Sequence, residues 1–124
     1  MIENKISKSL TTNHFNLLDE EGDVDVTQTA RILKISRNEL ASAFGFSGEQ
    51  VRDSRLGSKA KERLKELVSA MEYVATTFDG DEKKAIFWLT TPNPHFGFIS
   101  PKNLILKGKF NKVRDFIFAT VEAL

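Results

Sequence analysis

Apolar residues recur along most of this chain at steps of three and four, which is the spacing of helices that bury one face. The longest stretch with this pattern covers residues 58–78 and predicts a helix of about 20 residues. Shorter stretches predict helices over residues 28–34, 37–44 and 48–55, a helix that carries Trp88, another after Ser100, and a last one from Asn111. The pattern therefore predicts an all-α fold.

Polar residues mark where several of these helices begin. Thr27, Ser36 and Ser47 stand directly before three of them, where a side-chain oxygen accepts a hydrogen bond from an unpaired backbone N–H. Glu39 stands three residues after Ser36 and completes a capping box. Gly45 then permits a left-handed turn into the next helix. The two helices on either side of Gly45 have the spacing of a helix-turn-helix.

The first 26 residues lack a helical pattern of this strength and predict an irregular arm. Residues 19–23 are acidic and predict a solvated loop. Phe15, Leu17 and Leu18 are expected to dock on the body of the protein, with a short helix as one form of the docked segment.

Residues 85–108 carry the only tryptophan and all three prolines of the chain. An apolar helical segment around Trp88 runs into a turn fixed by Pro92 and Pro94. Ser100-Pro101 then marks a helix start, because Ser supplies an N-cap oxygen and Pro at the first helical position needs no amide partner. So much aromatic surface on a short segment favours a compact lobe with one face toward a partner. Trp88 is expected to be mostly buried in this lobe.

The order and spacing of these residues resemble the toxin-binding domain of Xre/MbcA/ParS-type antitoxins, from bacterial type II toxin–antitoxin systems. The similar pattern is W-L-x-x-P-N, then an aromatic residue with Gly, then S-P-x-x-L-I, then Gly and a final V-x-x-x-I helix. It stands here on Ala85, Trp88, Leu89, Pro92, Asn93, Phe96, Gly97, Ser100, Pro101, Leu104, Ile105, Gly108 and Val113. The family usually has a second Gly where this chain has Phe110-Asn111. It often continues with a glycine-containing tail, whereas this sequence stops at Leu124.

The stretch LASAFGFSGEQV, residues 40–51, is similar to the Xre-like helix-turn-helix that precedes the toxin-binding domain in this family. The two resemblances stand in the family's order. They imply an arm over 1–26, a helix-turn-helix lobe over 27–57, a long connecting helix over 58–80 and a small helical toxin-binding lobe over 81–124. Helix pairs with this spacing also occur in proteins that do not bind DNA, so a purely structural role for this one stays open.

The resemblance implies an antitoxin. Family members neutralise a partner toxin, commonly a RES-domain protein that destroys NAD, bind the promoter of their operon and form homodimers. The surface expected to meet the toxin combines the rigid turn with the exposed side of the last helix, at Pro92, Asn93, His95, Phe96, Asp115, Phe118 and Glu122. Phe96 is either an apolar anchor in the toxin or part of the lobe's own core. Phe118 is expected to be an extra exposed ring.

Positive charge is concentrated in one region, although the net charge of the chain is only +1. Residues 27–65 carry nine Lys or Arg and four Asp or Glu, a net charge of +5. Such a region is suited to holding phosphates. The predicted DNA-binding residues are Ser47, Gln50, Arg52, Arg55, Lys59 and Lys61. Glu49 and Asp53 lie on the same predicted helix and would repel phosphate.

Residues suited to catalysis are sparse. The chain has no cysteine, and its two histidines, His14 and His95, stand apart in the arm and the turn. No HExxH motif or glycine-rich phosphate loop occurs, so no catalytic site, metal site or cofactor is expected. Without an apolar run of membrane-spanning length or a signal-peptide core, the interpretation is a cytoplasmic protein. Two other functions stay open: a helix-turn-helix regulator without a toxin, and an orphan interaction module.

Overall fold

The computed structural model describes residues 14–46 and 57–122, with the backbone alone for the last two of them. Within these ranges the chain forms six α-helices, one short 3-10 helix and no β-strand, which confirms the all-α fold. The helices are α1 (Val26–Leu33), α2 (Arg37–Phe44), α3 (Ser58–Thr77), α4 (Glu82–Thr90), the 3-10 helix (Pro94–Phe96), α5 (Pro101–Leu106) and α6 (Phe110–Glu122). The long helix, α3, therefore lies where the apolar pattern predicted it.

The start of α1 differs from the prediction. Asp25, not Thr27, is the N-cap, because its carboxylate accepts a hydrogen bond from the Gln28 backbone N–H at 3.0 Å. The next helix, α2, begins as predicted, with a complete capping box between Ser36 and Glu39.

The helix-turn-helix is described only in its first part. Gly45 ends α2 in the left-handed conformation, with φ of 78°, as its place in the sequence predicted. The predicted third helix at 48–55 lies outside the described residues, and so does its N-cap, Ser47.

The arm docks on the body through two buried apolar side chains, Phe15 and Leu17, as expected. It forms no helix over residues 14–25. The chain instead turns back on itself, with an isolated antiparallel bridge between Leu18 and Val24. The acidic loop lies at the tip of this turn, where residues 19–23 are exposed.

A single apolar core joins the arm to all six helices. The central strut is α3, which packs against α2, α4 and α6, while α5 packs against α2, α4 and α6. The core therefore runs from the helix-turn-helix region into the C-terminal lobe. Among the described residues, every buried side-chain nitrogen or oxygen has a hydrogen-bond partner.

The last helix differs from the prediction in two respects. It begins at Phe110, one residue before the predicted cap Asn111. The reason is that the Phe110 ring is buried against Phe44, with the ring centroids 5.7 Å apart, and this contact favours the helical conformation already at Phe110. The expectation that Phe118 is exposed is also wrong. Its ring is partly buried and meets Tyr73 of α3 edge-on at 5.3 Å, because α3 and α6 lie side by side.

Candidate functional site

The turn after α4 is a closed loop organised by Asn93. The Asn93 side-chain oxygen accepts a hydrogen bond from the His95 N–H at 2.8 Å, and its backbone oxygen accepts from Phe96 and Phe98, both at 2.9 Å. The Asn93 N–H donates to the Ile99 oxygen at 3.2 Å, which closes the loop at its base. With Pro92 and Pro94 also restricting the backbone, the loop has one shape before any partner arrives.

Phe116 of α6 fixes this loop to the body. The Trp88 ring stacks on Phe116 with centroids 6.2 Å apart and an interplanar angle of 11°. The rings of His95 and Phe96 also contact Phe116, at 4.2 and 5.3 Å. One side chain of the last helix thus joins α4 and the turn into a single aromatic unit.

The predicted toxin-binding residues fall into two groups. Pro92, Asn93, His95 and Phe96 share the closed loop, with His95 exposed and Phe96 partly buried against Phe116. On α6, Asp115 adjoins Phe116, is exposed, and pairs with its neighbour Arg114 at 3.1 Å. Phe118 faces Tyr73, as described above, and the side chain of Glu122 lies outside the described part of the molecule. The structure therefore brings the loop and α6 together through Phe116.

Sequence reasoning missed two exposed aromatic residues in this region. Among the described residues, Phe87 and Phe98 are the large apolar side chains that remain exposed, at 68% and 72%. The signal for Phe87 was available, because it lies two residues from both Ala85 and Leu89, whose buried side chains define the inner face of α4. No periodicity marks Phe98, which follows Gly97 in a loop and has a φ of 65°.

Two grooves meet at Trp88. The larger, of about 530 Å³, lies between α4 and the turn and is open to solvent. The smaller, of about 180 Å³, lies between the end of α3 and α6. Phe78 and Trp88 line both grooves, so the two form one mainly apolar surface around the C-terminal lobe.

The predicted DNA-binding residues are only partly described. Lys59 and Lys61 are exposed near the start of α3. The first turn of α3 contains no acidic residue, and its N-cap is Gly57, which has no side chain to accept a capping hydrogen bond. Ser47, Gln50, Arg52 and Arg55 lie outside the described residues.

Within residues 14–46 and 57–122, no group of three or more His, Cys, Asp or Glu side chains is placed to hold a metal ion. None of the helices in these ranges is both long and apolar enough to cross a membrane. A rigid aromatic loop beside an open apolar groove, on an all-α body, is the arrangement of a small helical binding protein.

Comparison with known proteins narrows this class. The chain is 30% identical over 88 residues to a protein called Antitoxin Xre from Yersinia enterocolitica serotype O:8 / biotype 1B (strain NCTC 13174 / 8081). The match covers 66% of this chain and 60% of the relative, so the chain spans less than two thirds of the relative's length. No family model and no solved structure matches. The chain is therefore similar, over part of its length, to a protein named as an Xre-type antitoxin.

Proposed function

We propose that this protein is the antitoxin of a type II toxin–antitoxin system, and that it binds and neutralises a cognate toxin of the RES-domain, NAD-degrading kind. The observation that carries the proposal is the closed loop of Asn93 fixed to Phe116. It contains Pro92, Asn93, Phe96 and Gly97, four of the residues that carry the resemblance to the toxin-binding domain. The similarity to a protein named Antitoxin Xre supports the same role.

The loop suits a binding role because its shape is set in advance. Four hydrogen bonds made by Asn93 and two flanking prolines hold it, so little conformational entropy is lost when a partner docks. His95 is exposed on the loop, and the Asp115 carboxylate is exposed on α6. A toxin that consumes NAD must admit an anionic dinucleotide, so its cleft is expected to be basic. An exposed carboxylate such as that of Asp115 complements such a cleft.

Repression of its own promoter is the second part of the proposal. Lys59 and Lys61 stand near a helix N-terminus, where the macrodipole disfavours cations. Two cations at this end of the helix carry an electrostatic cost, which an anion bound there would offset. With Arg52 and Arg55 on the predicted recognition helix, they would hold DNA phosphates.

A homodimer is the proposed assembly, built on the last helix and on residues 85–108. The smaller groove, which Trp88 lines together with Phe116 and Ile117 of the last helix, leaves apolar surface on this side of the molecule. A second copy that covered part of this surface would reduce its exposure to water.

Co-purification with the neighbouring gene product tests the role as antitoxin. An adjacent reading frame for a RES-type toxin is expected, and its tagged product should retain this protein through size-exclusion chromatography. A toxin that elutes alone would contradict the proposal. A helix-turn-helix regulator without a toxin, or an orphan interaction module, is then the remaining function, and promoter binding separates these two.

A further inference from the structure

The larger groove of the C-terminal lobe has apolar walls and a positively charged rim. Its lining is mainly apolar and comes from the helix α4, from the rigid turn and from Phe78 at the end of α3. Two lysines stand at its edge. The residues that matter here are Phe87, Trp88, Pro92, Pro94, Lys83 and Lys84.

Phe87 is the most informative of these residues. Its side chain is 68% exposed, although the helix that carries it has a buried inner face. No aromatic ring of the described residues packs against it, whereas the neighbouring Trp88 stacks on Phe116. Leaving a phenyl ring in water forgoes the stabilisation that its burial would provide. The exposed ring beside an apolar groove therefore indicates a surface that is covered in a complex.

Lys83 and Lys84 give the groove its charge. Both side chains are exposed, and no carboxylate in the described parts of the chain forms an ion pair with either of them. They occupy the first half of α4, where a cation gains nothing from the helix dipole. Two uncompensated ammonium groups at the rim of an apolar groove favour carboxylates on whatever fills it.

The wall opposite α4 is rigid. Asn93 and Pro94 line the groove and belong to the closed loop, whose hydrogen bonds are made within the loop itself. The groove therefore has its shape before a ligand arrives, and an apolar side chain can bind without a costly rearrangement of the wall.

We propose that this groove binds a segment of a partner protein in which an apolar side chain is flanked by carboxylates. The apolar side chain packs on Phe87 and Trp88 between the prolines, and the carboxylates pair with Lys83 and Lys84. The partner protein that carries this segment is the toxin, and in this identification the inference rests on the function proposed above. The chemistry of the groove itself does not depend on it.

Short peptides test the chemistry directly. The probe is a dye-labelled acetyl-Glu-Glu-Leu-Phe-Glu-Glu-amide, and the comparison peptide has every Glu replaced by Lys. Binding is followed by the anisotropy of the dye and by the emission of Trp88, the only tryptophan of the chain. The acidic peptide should bind about tenfold more tightly than the basic one, and its affinity should fall as salt is added.

Variants of exposed residues locate the binding. Phe87→Ser should weaken the acidic peptide by about tenfold, and Lys83→Glu with Lys84→Glu should reverse the preference in favour of the basic peptide. Two matched controls should change neither result. Phe98→Ser removes an equally exposed ring outside the groove, and Lys107→Glu with Lys109→Glu makes the same change in net charge elsewhere.

Several results would overturn the inference. Equal affinity for the two peptides, no saturable binding of the acidic one, or equal effects of control and groove variants would each do so. A wild-type dimer that Phe87→Ser makes monomeric, with no competition from the peptide, would assign the groove to a second copy. Displacement of the acidic peptide by a single-stranded oligonucleotide would assign it to nucleic acid. These outcomes leave neutralisation of the toxin untouched, because that is measured separately in cells.

Discussion

At the scale of single residues, Glu72 decides how the arm is held. It is a carboxylate on the central helix α3, only 5% exposed. It accepts hydrogen bonds from the backbone N–H groups of His14 and Phe15, at 2.9 and 3.1 Å, and it pairs with the His14 ring nitrogen at 2.8 Å. The arm is therefore fixed by backbone donors as well as by the burial of Phe15.

Replacing Glu72 should destabilise the whole protein. Glu72→Ala leaves the buried Phe15 N–H and the part-buried His14 N–H without an acceptor, so the free energy of unfolding should fall by about 2–4 kcal/mol. Urea denaturation followed by circular dichroism measures this. Glu66→Ala, on the same helix, is the control. Its half-exposed carboxylate pairs with Arg114 at 3.4 Å, and its loss should cost less than about 1 kcal/mol. Equal losses for the two variants would mean that the arm is not held by Glu72.

Phe98 is a second residue of interest at this scale, because its backbone conformation is strained. Its φ of 65° lies in the left-handed region, which costs a residue with a side chain about 1–2 kcal/mol. Its ring is exposed and recovers little of this by packing. Backbone strain of this kind is found at functional sites more often than elsewhere.

The strain at Phe98 can be measured by removing it. Phe98→Gly should leave the free energy of unfolding unchanged or raise it by up to about 1 kcal/mol, because relief of strain outweighs the added freedom of the unfolded chain. Phe98→Ala keeps the strain while removing the ring, and it should be less stable than Phe98→Gly. A Gly variant that is destabilised by more than about 1 kcal/mol would show that the ring contributes to the fold.

At the scale of helices, α6 holds the candidate site together through Phe116. This side chain contacts Trp88 from α4 and both His95 and Phe96 from the turn. The loop is closed by its own hydrogen bonds, but its position on the body depends on this ring.

Phe116→Ala should therefore release the turn from the body. The expected loss is about 2–3 kcal/mol of unfolding free energy, below that of a fully buried Phe because the ring is partly exposed. Trp88 emission should also shift to longer wavelength as water reaches the indole. Phe87→Ala is the matched control, since it removes an exposed ring from the same helix as Trp88 and should change stability by less than about 0.5 kcal/mol. An unchanged Trp88 emission in Phe116→Ala would contradict the role given to this contact.

Helices with strong local signals were predictable from the sequence, and their ends less so. The pattern and caps located α2, α3 and the start of α5, where Ser100 accepts a hydrogen bond from the Asn103 N–H. The error at Thr27 arose because Asp25, two residues earlier, competes for the same role and wins. The start of α6 is set by burial of Phe110 against Phe44, a tertiary contact that no local pattern shows.

The candidate site was harder to predict than the fold. The resemblance pointed to the turn, and the structure shows that turn closed around Asn93. Whether a ring on the turn faces inward or outward depends on backbone angles, so Phe96 and Phe98 could not be separated by spacing alone. Phe118 was misplaced because the distance between α3 and α6, which puts it against Tyr73, is a property of the assembled core.

At the scale of the whole molecule, the net positive charge lies in the region proposed to bind DNA and not in the region proposed to bind the toxin. The basic region over 27–65 carries a net charge of +5, whereas residues 66–124 carry seven residues of each sign. The proposed DNA contact and the proposed toxin contact therefore draw on different parts of the chain.

Binding to the promoter should depend on that basic region and on salt. Arg52→Ala with Arg55→Ala should abolish promoter binding in a gel-shift or anisotropy assay, and wild-type affinity should fall steeply as salt rises because phosphate contacts release counterions. Lys107→Ala with Lys109→Ala removes the same charge from the C-terminal lobe and serves as the control. If the Arg52 and Arg55 double variant binds as well as wild type, the DNA lies on another surface.

The most direct measurement of the central claim is growth of cells that express the toxin of the neighbouring gene together with this protein. Wild type should restore growth. Phe96→Ala and Asp115→Lys, which alter the loop and an exposed residue of α6 next to Phe116, should restore it poorly while remaining folded by circular dichroism. Glu62→Lys, the same change in charge on an exposed part of α3, should protect as well as wild type. Cells that die with wild-type protein present would contradict the role as antitoxin, and full protection by both folded variants would show that neutralisation uses a different surface.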